Sequence, residues 1–172
     1  EHLFEREAPE RTRDAAHEDL ARASAEIRTD PEFTGLELDE DAEAAFFADA
    51  AKLVDRYFEL EDPRTVHPIG LELRLEARVG GLRLRGIIDR LELDAQGGLV
   101  VTDYKSGRAP GQTYQQGKLG GVAFYSLLCE ELFGVRPSRV QLLYLGDTTV
   151  ITTEPTEQST RGLRTKEGAL WQ

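Results

Sequence analysis

Between Ile69 and Gly107 the chain spells three successive β-strands, and in two of them a carboxylate stands where an apolar row should continue. Residues 69–79 alternate strictly, with Leu71, Leu73, Leu75, Ala77 and Val79 on one face and Glu72, Arg74, Glu76 and Arg78 on the other. That period of two predicts a half-buried strand with an outward charge ladder. Gly80-Gly81 is a hairpin signal. In the next stretch Leu82 and Leu84 fall on one parity and Ile87, Asp89, Leu91 and Leu93 on the other. The change of phase predicts a β-bulge at Gly86 that re-aims Asp89. Asp94-Ala95-Gln96-Gly97-Gly98 then turns the chain into a third strand, where Leu99, Val101, Asp103 and Lys105 share one face.

Charges in an apolar row are costly unless they are paired or hold a metal. Two readings follow. Asp89, Asp103 and Lys105 can form a cross-strand ion-pair ladder, with Lys105 simply a charge partner. Alternatively, two inward carboxylates beside an amine suit a hard divalent cation next to a charge-stabilising group, the chemistry of phosphodiester hydrolysis.

The wider context favours the second. Gly86-Ile87-Ile88-Asp89-Arg90, followed after a turn by Val101-Thr102-Asp103-Tyr104-Lys105-Ser106-Gly107, resembles the RecB-type branch of the PD-(D/E)XK nuclease superfamily. The signature there is Gly-x-x-Asp-Arg and then Asp-Tyr-Lys-Thr-Gly, with Ser106 replacing Thr. His67–Glu72 and Gly134–Gly146 resemble the flanking strands of actinobacterial RecB-family exonucleases. The resemblance implies a restriction-endonuclease-like PD-(D/E)XK core of αβββαβ order, a mixed sheet flanked by helices. It also implies a Mg²⁺- or Mn²⁺-dependent DNA exonuclease of repair or recombination. Asp89, Asp103 and the Tyr104 backbone carbonyl would be the metal ligands. Lys105 would orient the attacking water and stabilise charge on the phosphate. Tyr125 resembles the Tyr of a Gln-x-x-x-Tyr motif near DNA, although Gly121 replaces the Gln, and a buried aromatic is the other reading. Lys118, on the same helix face, is a candidate phosphate contact. Arg90 can pair with an acid or touch DNA, and Glu72 reads as structural.

Relatives carry a metal-ligating His on an early helix, in a motif whose tail resembles Glu1-His2-Leu3-Phe4, so that His would precede Glu1. Some also hold an iron–sulfur cluster, with cysteines upstream and after the last helix. The resemblance therefore predicts that this chain is the middle of a longer protein, whose parent could carry such a cluster. A helicase is the implied partner. The competing reading is a nuclease-like module that has lost activity and serves DNA docking or assembly of a helicase–nuclease complex.

At 172 residues the chain is expected to form one domain, 1–172, with an acidic helical part (1–62) and a sheet-bearing core (63–172). The net charge of −11 argues against nucleic acid at first sight. However, residues 1–62 hold 20 acidic and 7 basic residues, and residues 63–172 hold 12 and 14, so the acidity lies away from the paired motif. Cys129, the single cysteine, excludes an intrachain disulfide and reads as core in a cytoplasmic protein. No run is long and apolar enough for a membrane span. Helices are predicted over 1–28 with a break near Pro9, 39–59, 116–133 and from about Thr156 onward, with strands near 138–145 and 148–154. In the second helix Phe46, Phe47, Leu53, Val54 and Tyr57 recur at helical spacing and are expected to be core.

Overall fold

The structure, a computed structural model, describes residues 2–79, 82–111, 115–158 and 160, and the side chains of 115–120 are not among those described. The Gly80-Gly81 turn, the Lys118 side chain and residues 161–172 of the expected last helix therefore lie outside the described residues. Helices α1 (His2–Glu5), α2 (Arg13–Ile27), α3 (Pro31–Thr34) and α4 (Glu40–Leu60) precede strands β1 (Pro68–Val79), β2 (Leu82–Leu93) and β3 (Leu99–Lys105). Helix α5 (Gln115–Phe133) and strands β4 (Arg139–Tyr144) and β5 (Thr149–Thr153) follow. The five strands form one mixed sheet in the order β1-β2-β3-β4-β5. Only β3 and β4 run parallel, as the α5 crossover between them requires.

Local chemistry sets the boundaries. Thr12 caps α2 by accepting from the Ala15 N–H at 3.2 Å, and Asp39 caps α4 by accepting from the Ala42 N–H at 2.8 Å. Pro9 falls in a short 3₁₀ turn, which breaks the helix expected over 1–28. Gly134 ends α5 at φ 68°, a conformation that favours glycine.

The sheet is covered on both faces. On one, α5 packs Leu128, Cys129 and Val122 against Ile88, Leu91, Val101 and Val140. Gly86 permits this approach, because a Cβ there would stand 2.8 Å from Leu128 Cδ1 and 2.9 Å from Phe124 Cε1. Cys129 is core as expected, and burial pushes its thiol up to about 12. On the other face, Leu3, Ala16, Tyr57 and Val54 pack on Leu143 and Tyr104. Phe46 departs from expectation: it is 45 % exposed and meets Phe33 and Phe47 near the start of α4, away from the sheet core.

The change of phase in β2 also lies elsewhere than predicted. Pairing runs unbroken through Leu75↔Gly86, so no bulge sits there. Ile88 lies in the α5-side core, whereas Arg90 bonds Glu61 and the Tyr104 hydroxyl on the opposite face. The flip therefore occurs at Asp89. In β1 the residue between the partners of Ile88 and Arg90 is Glu72, which adopts φ 45° instead of continuing the charge ladder. Ile87 consequently faces out, 44 % exposed, and does not share the inward row.

Candidate active site

The ladder between β2 and β3 ends at Arg90↔Thr102, and the strands diverge beyond it. The Tyr104 N–H, left without a ladder partner on that side, instead donates to Asp89 Oδ2 at 2.7 Å. An unpaired buried amide costs about 1–3 kcal/mol, so this bond ties the Asp89 carboxylate to the separation of the strands. Burial raises the Asp89 pKa, the Tyr104 N–H opposes that rise, and the neighbouring charge of Asp103 adds to it.

Asp103 is 3 % exposed and is met from two sides. The Lys105 ammonium makes an ion pair with its Oδ2. The Tyr125 hydroxyl on α5 donates to its Oδ1 at 3.2 Å. Burial, together with the charges of Asp103 and Asp89, holds the Tyr125 phenol above its ordinary pKa, so it remains a donor. Lys105 is 41 % exposed in its side chain and stands at the mouth of the cluster. Its carbonyl accepts from the Leu145 N–H at 2.8 Å, which pins the end of β3 to the end of β4.

Asp89, Asp103, Lys105 and Tyr125, all singled out from sequence, thus come together on the α5 side of the sheet, with the Tyr104 backbone meeting them while its side chain lies on the opposite face. Arg90 does not join them. It is fully buried on the other face, where Nη2 donates to Glu61 Oε2 at 2.9 Å and to Thr102 Oγ1 at 3.3 Å, and Nη1 reaches the Tyr104 hydroxyl at 2.5 Å. Its Nε lies 3.2 Å from Glu92 Oε2. Burial opposes its charge, but the bonds and charges of Glu61, Tyr104 and Glu92 outweigh burial and raise its pKa. Of its two readings, the acid partner is the one realised. Glu61, at the C-terminal end of α4, had no signal in the sequence, because its partner lies 29 residues away.

The donor set bears on the expected cation. Asp103 Oδ2 is buried and touches Lys105 without hydrogen-bond geometry. Among the described residues no group of three or more His, Cys, Asp or Glu side chains converges. Two carboxylates fit Mg²⁺ or Mn²⁺, hard ions that keep several waters, better than metals that need a full cage of side chains. The early histidines lie elsewhere: His2 contacts Glu5 at 3.3 Å and His17 contacts Asp55 at 2.9 Å.

A family model, the PD-(D/E)XK nuclease superfamily, matches residues 1–171. The chain belongs to that superfamily. Its mixed five-stranded sheet with helices on both faces is the fold of the family. The solved structures it resembles include one described as the crystal structure of SSO0001, at 18 % identity and a TM-score of 0.45, covering 90 % of this chain and 74 % of that one. No curated protein matches the sequence. Among the described residues no helix is long and apolar enough to cross a membrane.

Proposed function

We propose that this superfamily member is a metal-dependent DNA exonuclease of the RecB type, hydrolysing phosphodiester bonds in DNA repair or recombination. The observation that carries this reading is the meeting of Asp89, Asp103 and Lys105 on one side of the sheet, at the point where β2 and β3 separate. The paired motif supports the RecB branch, and with it a cytoplasmic setting and a partner helicase.

Asp89, Asp103 and the Tyr104 carbonyl would hold Mg²⁺ or Mn²⁺. When bound, such a cation supplies Lewis acidity and lowers the pKa of a coordinated water. The chain's own groups do the rest. Lys105, anchored by Asp103 and half exposed, is placed to donate to a phosphate oxygen as negative charge grows there. Tyr125 fixes the orientation of Asp103 through Oδ1. Arg90 holds the Tyr104 side chain from the far face, so the backbone between Asp103 and Lys105 is gripped from both sides of the sheet. Positioning of this kind matters, since small misplacements of reacting groups can cost on the order of a hundredfold in rate.

The test is incubation with Mn²⁺ of end-labelled linear DNA beside a covalently closed circle. Progressive loss of the linear substrate, with the circle spared, is expected. Cutting of the circle would show an endonuclease. Binding without cleavage of either substrate would show an inactive docking module.

A further inference from the structure

The outward face of the β1–β2 hairpin is out of keeping with the rest of this acidic chain. Register places Arg74 opposite Ile87, Glu76 opposite Arg85, and Arg78 opposite Arg83, with all six side chains on one exposed row. Four arginines therefore share a surface with one carboxylate. Arg85 bonds Glu76 at 2.6 Å and Arg83 lies 3.6 Å from it. Arg74 and Arg78 have no ion-pair partner among the described residues. Like charges placed directly opposite across two strands destabilise a hairpin, yet Arg78 and Arg83 are so placed. With 20 acidic residues in the first 62, acids to neutralise them are not scarce in the chain, but among the described residues none of those forms an ion pair with this row.

We propose that this arginine row is a binding surface for the phosphate backbone of a DNA strand, a reading that rests on the nuclease assignment. The row begins at Arg74 and Ile87, two residues along β2 from Asp89 but on the sheet face opposite α5, and runs for roughly 13 Å at strand spacing, enough for two or three phosphates. Arginine is the residue suited to this task, because its planar fork meets phosphate oxygens in pairs. The half-exposed Ile87 offers an apolar contact for a sugar or base at the end of the row nearest Asp89.

The experiment is fluorescence anisotropy of a labelled single DNA strand of about 30 nucleotides, with Ca²⁺ in place of Mn²⁺, across about 50–200 mM salt. The variant Arg74→Gln/Arg78→Gln/Arg83→Gln keeps the Arg85–Glu76 pair. It should bind at least about tenfold more weakly and lower the slope of log affinity against log salt by about two. A control of equal charge change elsewhere, Arg22→Gln/Lys52→Gln/Arg64→Gln, should bind as the parent does. The lysine version, Arg74→Lys/Arg78→Lys/Arg83→Lys, should retain most affinity, which separates loss of charge from loss of fold. Equal loss in the hairpin and control variants, or loss in neither, overturns the proposal. Because binding is read without cleavage, a parent that binds through the hairpin but never cuts DNA leaves this surface standing and removes the nuclease reading. A parent that cuts DNA with unaltered hairpin-variant binding does the reverse.

Discussion

Asp89 Oδ2 accepts a 2.7 Å hydrogen bond from the backbone N–H of Tyr104, the residue between Asp103 and Lys105. One side chain thereby completes the hydrogen bonding of the opened sheet and presents a carboxylate to its neighbour. The two roles conflict, because the same burial that strengthens the bond opposes the charge.

That conflict sets a pH dependence. Burial and Asp103 raise the Asp89 pKa above its unfolded value, and burial does the same to Glu92. For an acid with a raised pKa, the favourable contribution is present below the unfolded pKa and is lost as pH rises through the folded one. The neutral isostere Asp89→Asn keeps an acceptor for the Tyr104 N–H and removes the charge. Its Tm at pH 7 should exceed that of the parent by a few degrees, with a flatter profile over mildly acidic pH. A Tm below the parent at every pH would contradict this.

The Arg90–Glu61 pair links α4 to the far face of β2. Removing Glu61 leaves the buried Arg90 with Glu92 as its remaining carboxylate partner. Glu61→Ala should therefore cost about 2 kcal/mol in urea unfolding, while replacing all three charges, Arg90→Met/Glu61→Leu/Glu92→Gln, should recover most of it. Losses that simply add in the triple variant would show that the three residues act independently.

Much of this was legible in the sequence, and the limits are physical. Alternation in residues 69–79 and 99–105 gave the strands, and the paired motif gave Asp89, Asp103 and Lys105, since local periodicity encodes which face a side chain takes. The motif's glycine and arginine carry different loads: Gly86 admits α5, and Arg90 serves the opposite face. Periodicity placed the phase change at Gly86, because a left-handed φ at Glu72, on the neighbouring strand, leaves no mark in β2 itself. The Tyr125–Asp103 bond and the Glu61 partner depend on contacts 22 and 29 residues apart, which a linear pattern does not specify. Helical spacing likewise could not tell that Phe46 would meet Phe33 and Phe47 on an exposed stretch of α4.

Cation binding is open to calorimetry. Titration with Mn²⁺ should show binding that Asp103→Asn weakens by about an order of magnitude or more, since one ligating carboxylate and its charge are lost. Tyr125→Phe removes only the donor to Oδ1 and should have a smaller effect. Unchanged affinity in Asp103→Asn would place the cation elsewhere.

The most direct measurement is the rate of Mn²⁺-dependent cleavage of linear DNA by the parent and by Lys105→Ala, with Mn²⁺ affinity and Tm recorded on the same samples. Lys105 is half exposed at the end of β3, and its removal leaves Asp103 still bonded to Tyr125. Loss of cleavage by about a hundredfold or more is expected, with folding intact and the cation still bound. Cleavage by Lys105→Ala at the parent's rate would contradict the assignment of Asp89, Asp103 and Lys105 as the active site.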